Sequence, residues 1–68
     1  MRIIVNGKSA VVEDALTVYQ YLIILGLSDA NAIAVALNKE ILQRELYKQT
    51  QLNEGDQLEI VRAIGGGK

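Results

Sequence analysis

The sequence predicts an α+β domain in which a mixed sheet of four to five strands is covered by one main helix. Three observations predict it. Apolar, β-branched runs of strand length occur at Ile3-Ile4-Val5, Ile33-Ala34-Val35-Ala36-Leu37 and Gln57-Leu58-Glu59-Ile60-Val61-Arg62. One stretch with helical spacing, residues 17–25, stands between the first strands and the later ones. Turn clusters at Asn6-Gly7, Asn38-Lys39-Glu40 and Asn53-Glu54-Gly55-Asp56 punctuate the rest. The resulting order is ββ-α-ββ-β, and a helix laid on one face of a sheet buries the apolar surfaces of both.

Each element has its own justification. Asn6-Gly7 tolerates positive φ at both positions, as a type I′ turn requires, so residues 2–12 are predicted to form a hairpin with Lys8-Ser9-Ala10-Val11-Val12 as its second strand. Thr17 and Gln20 fit a capping box, and Leu16 with Tyr21 fits the accompanying hydrophobic staple; Asp14 is an alternative N-cap. Val18, Tyr21, Leu22 and Leu25 share one helix face, and Gly26 suits the left-handed position that ends the helix. Tyr19, Ile23 and Ile24 make that helix apolar on a second side, which fits either a cover of loops or an interaction face. Residues 28–32 are a small, polar connection. Residues 33–37 are expected to be a strand buried on both faces. Ile41-Leu42-Gln43 is a short strand, and residues 44–49 form a helical or 3₁₀ turn that brings Leu46 and Tyr47 to the core. In the last strand Leu58 and Ile60 face inward, because strand side chains alternate.

Composition excludes several function classes. With 68 residues, half of them apolar, the chain holds one domain with a stability margin of about 3–10 kcal/mol. Such a margin does not favour a large buried ligand site. Seven basic and eight acidic residues are scattered, giving a net charge of −1, with no basic stripe to grip nucleic acid. No cysteine and no histidine are present, so thiol chemistry and the commonest zinc ligands and general bases are missing. The acids Glu13-Asp14, Glu40 and Glu45 belong to no motif and are expected to be solvated surface, so no catalytic or metal-ligating residue is assigned. The apolar run at residues 22–25 is too short to span a bilayer, and Met1-Arg2-Ile3-Ile4 does not resemble a signal peptide. A cytoplasmic protein that is monomeric when free is the expectation.

The chemical feature is the end of the sequence. The domain is expected to occupy residues 1–64, and Gly65-Gly66-Gly67-Lys68 a flexible tail. Glycine packs nothing against a core. Four extended residues reach about 14 Å, enough to enter a narrow enzyme channel while the body docks outside. A terminal glycine carboxylate becomes an acyl donor once it is adenylated, and the missing Cβ leaves the carbonyl carbon open to attack. A glycine run alone is a weak signal; its place directly after a well-formed strand strengthens it. Val61, Arg62, Ala63 and Ile64 adjoin the tail and are candidate partner contacts.

Taken together, these pieces resemble the ThiS family of thiamine-pathway sulfur carriers, which have the ubiquitin-like β-grasp fold. The resemblance rests on Ile3-Ile4-Val5-Asn6-Gly7, Thr17-Val18 and Leu22, and Ala34-Val35-Ala36-Leu37-Asn38 followed by Ile41, Leu42 and Arg44. Tyr47, Gly55-Asp56 before Leu58-Glu59-Ile60, and Gly66-Gly67 complete it. It implies that a ThiF-like enzyme, using ATP and magnesium, adenylates the C-terminal glycine. Sulfur relayed from a cysteine desulfurase then makes a thiocarboxylate, which is delivered to the thiazole synthase ThiG. By position, Gly67 is the acyl terminus, Gly66 its channel-fitting neighbour and Gly65 the rest of the tail; the domain itself would bind no cofactor. Two departures stand out. Lys68 follows the diglycine, and while it remains Gly67 is an amide carbonyl. Gln43 stands before Arg44, where many relatives have proline, which alters a loop. Three other readings stay open: a carrier for molybdopterin synthesis or another pathway, a ubiquitin-like modifier, and a plain interaction domain.

Overall fold

The computed structural model describes residues 1–27 and 33–62. Five strands, β1 (Arg2–Val5), β2 (Lys8–Val11), β3 (Ile33–Leu37), β4 (Glu40–Leu42) and β5 (Gln57–Arg62), form one sheet in the order β2-β1-β5-β3-β4. The helix α1 (Val18–Ile24) follows β2, and a 3₁₀ turn, Arg44–Leu46, follows β4. The β1–β5 pair is parallel and the other three pairs are antiparallel.

The local expectations from turn and cap chemistry hold. Asn6 and Gly7 have φ of 50° and 83°, which places both central residues of the first hairpin in the left-handed region. The second hairpin is tighter than expected. Asn38 and Lys39 alone form its turn, at φ 52° and 73°, so β4 starts at Glu40 and ends at Leu42. Thr17 is the N-cap, not Asp14: its hydroxyl accepts from the Gln20 N–H at 3.1 Å, and the Gln20 side chain accepts from the Thr17 N–H at 2.9 Å. Asp14 instead lies 3.2 Å from the α-ammonium of Met1. At the other end Gly26, at φ 78°, donates to the Ile23 carbonyl, and Leu27 donates to the Leu22 carbonyl, the paired bonds of a Schellman motif.

The core lies between the sheet and α1. Ile3, Val35, Leu58 and Ile60 come from the sheet, and Val18, Tyr21 and Leu22 from the helix; Leu16, Tyr47 and Leu52 close the ends. Leu16 and Tyr21 are both buried in this cluster, as a staple requires. The segment after β4 completes the helix start, because the Val18 N–H donates to the Thr50 carbonyl and the Tyr19 N–H to the Tyr47 carbonyl. With the capping box, every N–H from Thr17 to Gln20 has a partner, so the helix start carries no orphaned donors.

Three burial expectations are corrected. β3 is not buried on both faces: only Val35 is fully enclosed and Ala34 is exposed, because α1 covers one face of the sheet. Leu46 does not reach the core; it is 43% exposed, and Tyr47 alone turns inward. Leu25 is the C-cap of a helix that ends at Ile24, and its side chain has swung out of the buried stripe. Tyr19 is half-buried against the core with Lys48 over its ring, as a cover of loops implies, whereas Ile23 and Ile24 are exposed among the described residues. The polar connection at residues 28–32 lies outside the described residues. Among those residues no helix is long and apolar enough to cross a membrane.

Leu22 is 1% exposed at the centre of the helix–sheet contact. Leu22→Ala is expected to cost about 2–5 kcal/mol, the range for emptying a buried leucine site. Urea unfolding followed by circular dichroism checks this. An unchanged midpoint would mean that the helix packs on another face.

Candidate functional site

The candidate site begins where β5 delivers the chain to residue 63. β5 is the middle strand of five, with β1 on one side and β3 on the other. Its antiparallel register with β3 runs from Leu37↔Leu58 to Ile33↔Arg62. β1 is shorter and pairs only Ile4↔Gln57 and Val5↔Leu58 before the chain turns away.

Asn6 fills the gap. Its backbone N–H donates to the Leu58 carbonyl at 2.9 Å. Its side-chain oxygen accepts from the Ile60 N–H at 2.8 Å, and its side-chain nitrogen donates to the Ile60 carbonyl at 3.3 Å. One side-chain amide therefore stands in for the next peptide of β1 and carries the ladder two residues further along β5. Asn38 does the same at the strand's start, from the opposite side. Its N–H donates to the Gln57 carbonyl at 2.7 Å, and its side-chain oxygen accepts from the Gln57 N–H at 3.0 Å. The first residue of each hairpin turn is thus also a clamp on β5. β5 is therefore held by side-chain hydrogen bonds on both flanks, at Gln57 and at Ile60.

The sheet face opposite α1 is open among the described residues. Strand alternation puts Val61, Ala34, Ala36 and Ile41 on it, because Val61 pairs with Ala34 and Ala36 pairs with Ile41. Val61 is 64% exposed and Ile41 76% exposed. Two alanines between them keep the surface flat, and Glu59, opposite Ala36, adds one charge.

Among the candidate partner contacts, Val61 lies on this open face. Arg62, the next residue, has the opposite parity, pairs with Ile33 on the helix side and is exposed. The two are therefore not one patch. Ala63, Ile64, Gly65, Gly66 and Gly67 lie outside the described residues, as does the proposed boundary between residues 64 and 65. Ile41 and Asn6 were not legible as site residues: Ile41 joins the patch only through the β3–β4 register, and Asn6 announces a turn, not a clamp. No three acidic side chains gather in one place among the described residues.

The ThiS family model matches residues 1–67. The chain belongs to the ThiS family. A crystal structure of the thiamine biosynthesis protein ThiS from Geobacter metallireducens is similar, with TM-score 0.83 and 36% identity over 98% of this chain and 100% of that one. A solution structure of a thiamine biosynthesis protein from the same organism gives TM-score 0.81 and 37% identity, covering 100% of this chain and 90% of that one. These ThiS likenesses bear out the ubiquitin-like β-grasp fold. Among curated proteins, a thiazole synthase of Paramagnetospirillum magneticum is 40% identical over 67 residues, 98% of this chain. A thiazole synthase of Magnetococcus marinus is 37% identical over 68 residues, 100% of this chain. The chain spans about a fifth of the length of these relatives, 20% and 21% respectively. A ThiS-like segment is therefore part of longer chains that bear that name.

Asn6→Gly keeps the positive φ available and removes both side-chain bonds to Ile60. It is expected to cost about 1–3 kcal/mol, since it leaves a half-buried pair of backbone groups without partners. Hydrogen exchange at the Ile60 amide is expected to accelerate more than exchange at Val35. Equal acceleration at both would show that Asn6 serves the whole fold and not this strand end.

Proposed function

We propose that this chain is the sulfur carrier of thiazole formation in thiamine biosynthesis, with Gly67 as the carrying residue. The observation that carries the reading is the ThiS family match, which extends through Gly66 and Gly67. The geometry supports it: β5, the strand that precedes the glycines in sequence, is held on both flanks, and a flat apolar face lies beside it. In this reading the domain supplies recognition and a ThiF-like enzyme supplies catalysis. The domain is no enzyme itself and works as a cytoplasmic monomer that docks on its partners.

The chemistry follows from the tail. Hydrolysis of the Gly67–Lys68 peptide frees the carboxylate. That carboxylate attacks the α-phosphorus of ATP, and pyrophosphate leaves, with magnesium held by the partner enzyme. A persulfide derived from a cysteine desulfurase attacks the resulting acyl carbon, and AMP leaves. Thiol reduction of the acyl disulfide gives the thiocarboxylate. Gly66 and Gly65 contribute by having no side chain to obstruct a channel. The carrier then donates sulfur to thiazole synthase, and the ThiS-like segment within chains of that name supports this choice of acceptor.

Val61, Ala34, Ala36 and Ile41 form the docking face in this reading. Val61 stands one residue before the end of β5 and Ile41 beyond the two alanines, and on this proposal a partner engaging the glycines also covers this patch. Arg62 adds a charged contact from the other side of β5, and Ala63 and Ile64 extend the contact toward Gly65.

The decisive experiment is intact-mass measurement of the chain ending at Gly67 and of the chain ending at Lys68. Each is incubated with ATP, a sulfide source and extract of its own cells. Exchange of one oxygen for sulfur is expected in the Gly67 form, and in the Lys68 form only together with loss of lysine. No exchange in either form, in an extract that converts its own carrier, would overturn the reading. Isopeptide adducts on other proteins would assign the chain to the modifiers instead.

Two substitutions are expected to separate tail from face. Gly67→Ala is expected to impair adenylation with an unchanged unfolding midpoint, measured by pyrophosphate release and urea titration. Ile41→Asp is expected to raise the carrier concentration needed for half-maximal release by about tenfold, the loss typical of one central interface residue. Unchanged kinetics for Ile41→Asp would place the docking surface elsewhere.

A further inference from the structure

A second surface lies on the opposite edge of the molecule. β2 is an edge strand, and its outward-pointing groups follow from its pairing. The Val12 N–H donates to the Met1 carbonyl at 2.8 Å, and the Met1 nitrogen donates back to the Val12 carbonyl at 2.6 Å. Hydrogen-bonded and non-hydrogen-bonded pairs alternate along an antiparallel ladder. The pairs Val11↔Arg2 and Ser9↔Ile4 are therefore of the second kind. The N–H and C=O groups of Ser9 and Val11 point away from β1, and among the described residues nothing pairs with them. The partners of Ser9 and Val11 on β1 behave as this requires: the Ile4 N–H and the Arg2 N–H and C=O all bond toward the β5 side.

Beside this edge runs an open apolar groove of about 630 Å³ between β2 and α1. Ala10, Val12 and Leu16 line one wall and Tyr21, Ile24 and Leu25 the other, with Glu13 next to Val12 as the one charged lining residue. Ile24 is 66% exposed, and Val11, on the rim, 73% exposed. Edge strands of this kind are commonly blunted, because they template the addition of another strand. Here the only charge within β2 is Lys8, which pairs with Val5 and so shares the groove-side parity of Ala10 and Val12.

We propose that β2 and this groove bind an extended peptide segment of a partner protein, which adds to the sheet as a sixth strand, antiparallel to β2. Its main chain pairs with Ser9 and Val11. Its side chains opposite Val12 and Ala10 point into the groove and are apolar. The side chain two residues further on lies opposite Lys8 and is acidic. The recognised pattern, in the N-to-C direction, is apolar, any, apolar, any, acidic. Main-chain bonds supply the attraction, and alternate side chains supply the selection. The groove lies on the α1 side of the sheet and the Val61–Ile41 patch on the other, so the site stands whether or not the carrier reading does.

The probe is the capped peptide Ser-Ile-Ser-Val-Ser-Glu, titrated into the ¹⁵N-labelled full chain. Saturable shifts are expected at the Ser9 and Val11 amides and around Ile24 and Leu25, with slowed exchange of the Ser9 and Val11 amide protons. Val11→Pro removes one outward N–H without touching the β1 ladder, where Val11 makes no bond. It is expected to weaken binding by about tenfold, as loss of one well-formed hydrogen bond implies. Lys8→Glu leaves the backbone intact and provides an independent check. It is expected to weaken the acidic peptide and to favour the same peptide with Lys in place of Glu. Shifts confined to Val61 and Ile41, equal binding by wild type and both variants, or no saturation at peptide concentrations on the order of 1 mM would overturn the proposal. So would self-association that Val11→Pro abolishes, since a second copy of this chain would then be the occupant.

Discussion

The parallel seam between β1 and β5 is the constraint on which the rest of the molecule depends. It lays the first strand beside the last, so everything between them is the crossover. Closing so long a loop is entropically costly, and the seam has few strand residues with which to offset it. Local chemistry extends it at both ends. Before β5, the Arg2 N–H donates to the Glu54 carboxylate at 2.9 Å, and the Gly55 N–H donates to the Arg2 carbonyl at 2.8 Å. After Val5, the Asn6 amide reaches Ile60. Beneath the seam Ile3 and Leu58 are fully buried, and each such side chain contributes about 1.5–3 kcal/mol by leaving water.

From this arrangement comes a division of labour suited to a carrier. Apolar burial is concentrated on one face of the sheet, and the other face is open among the described residues. Asn6 and Asn38 fix β5 through exposed turn residues, so the strand's direction does not rely on packing near its end. A 68-residue domain has little stability to spend on a strained internal site. In the proposed reading the chemistry falls to Gly67 and the catalysis to another protein, so the domain needs no such site.

What was legible in the sequence was local. Asn6-Gly7, the Thr17–Gln20 box and Gly26 each specify a backbone conformation through their own chemistry, and each expectation agrees with the structure. What was not legible depends on register or on distant partners. Nothing in residues 47–50 says that their carbonyls will receive the first N–H groups of α1, because that match is made across the fold. Leu52 gives no periodic signal and is nevertheless core. Ala15 takes φ 64° between two well-predicted elements, a conformation alanine does not announce. The double burial expected of β3 failed because an unbroken apolar run does not say how many layers cover it; two of its five residues are alanines, which suit a flat open face as well as an interior. For the candidate site, the sequence named Val61, which is exposed, while the glycines lie outside the described residues. Ile41 and the Asn6 clamp needed the three-dimensional register.

The same seam has a mechanical consequence. Because β1 and β5 run in the same direction, the start of β1 and the end of β5 lie at opposite ends of the sheet. Tension applied to the chain beyond Arg62, with the other terminus held, loads the β1–β5 bonds in shear, all together, and does not peel them one at a time. The antiparallel β3–β5 ladder, anchored through the hairpin to β4, braces the other flank. Forced unfolding is governed by the unfolding rate, and a shear geometry raises the barrier that sets it. A pull on the chain beyond Arg62 would therefore meet a body that resists unravelling.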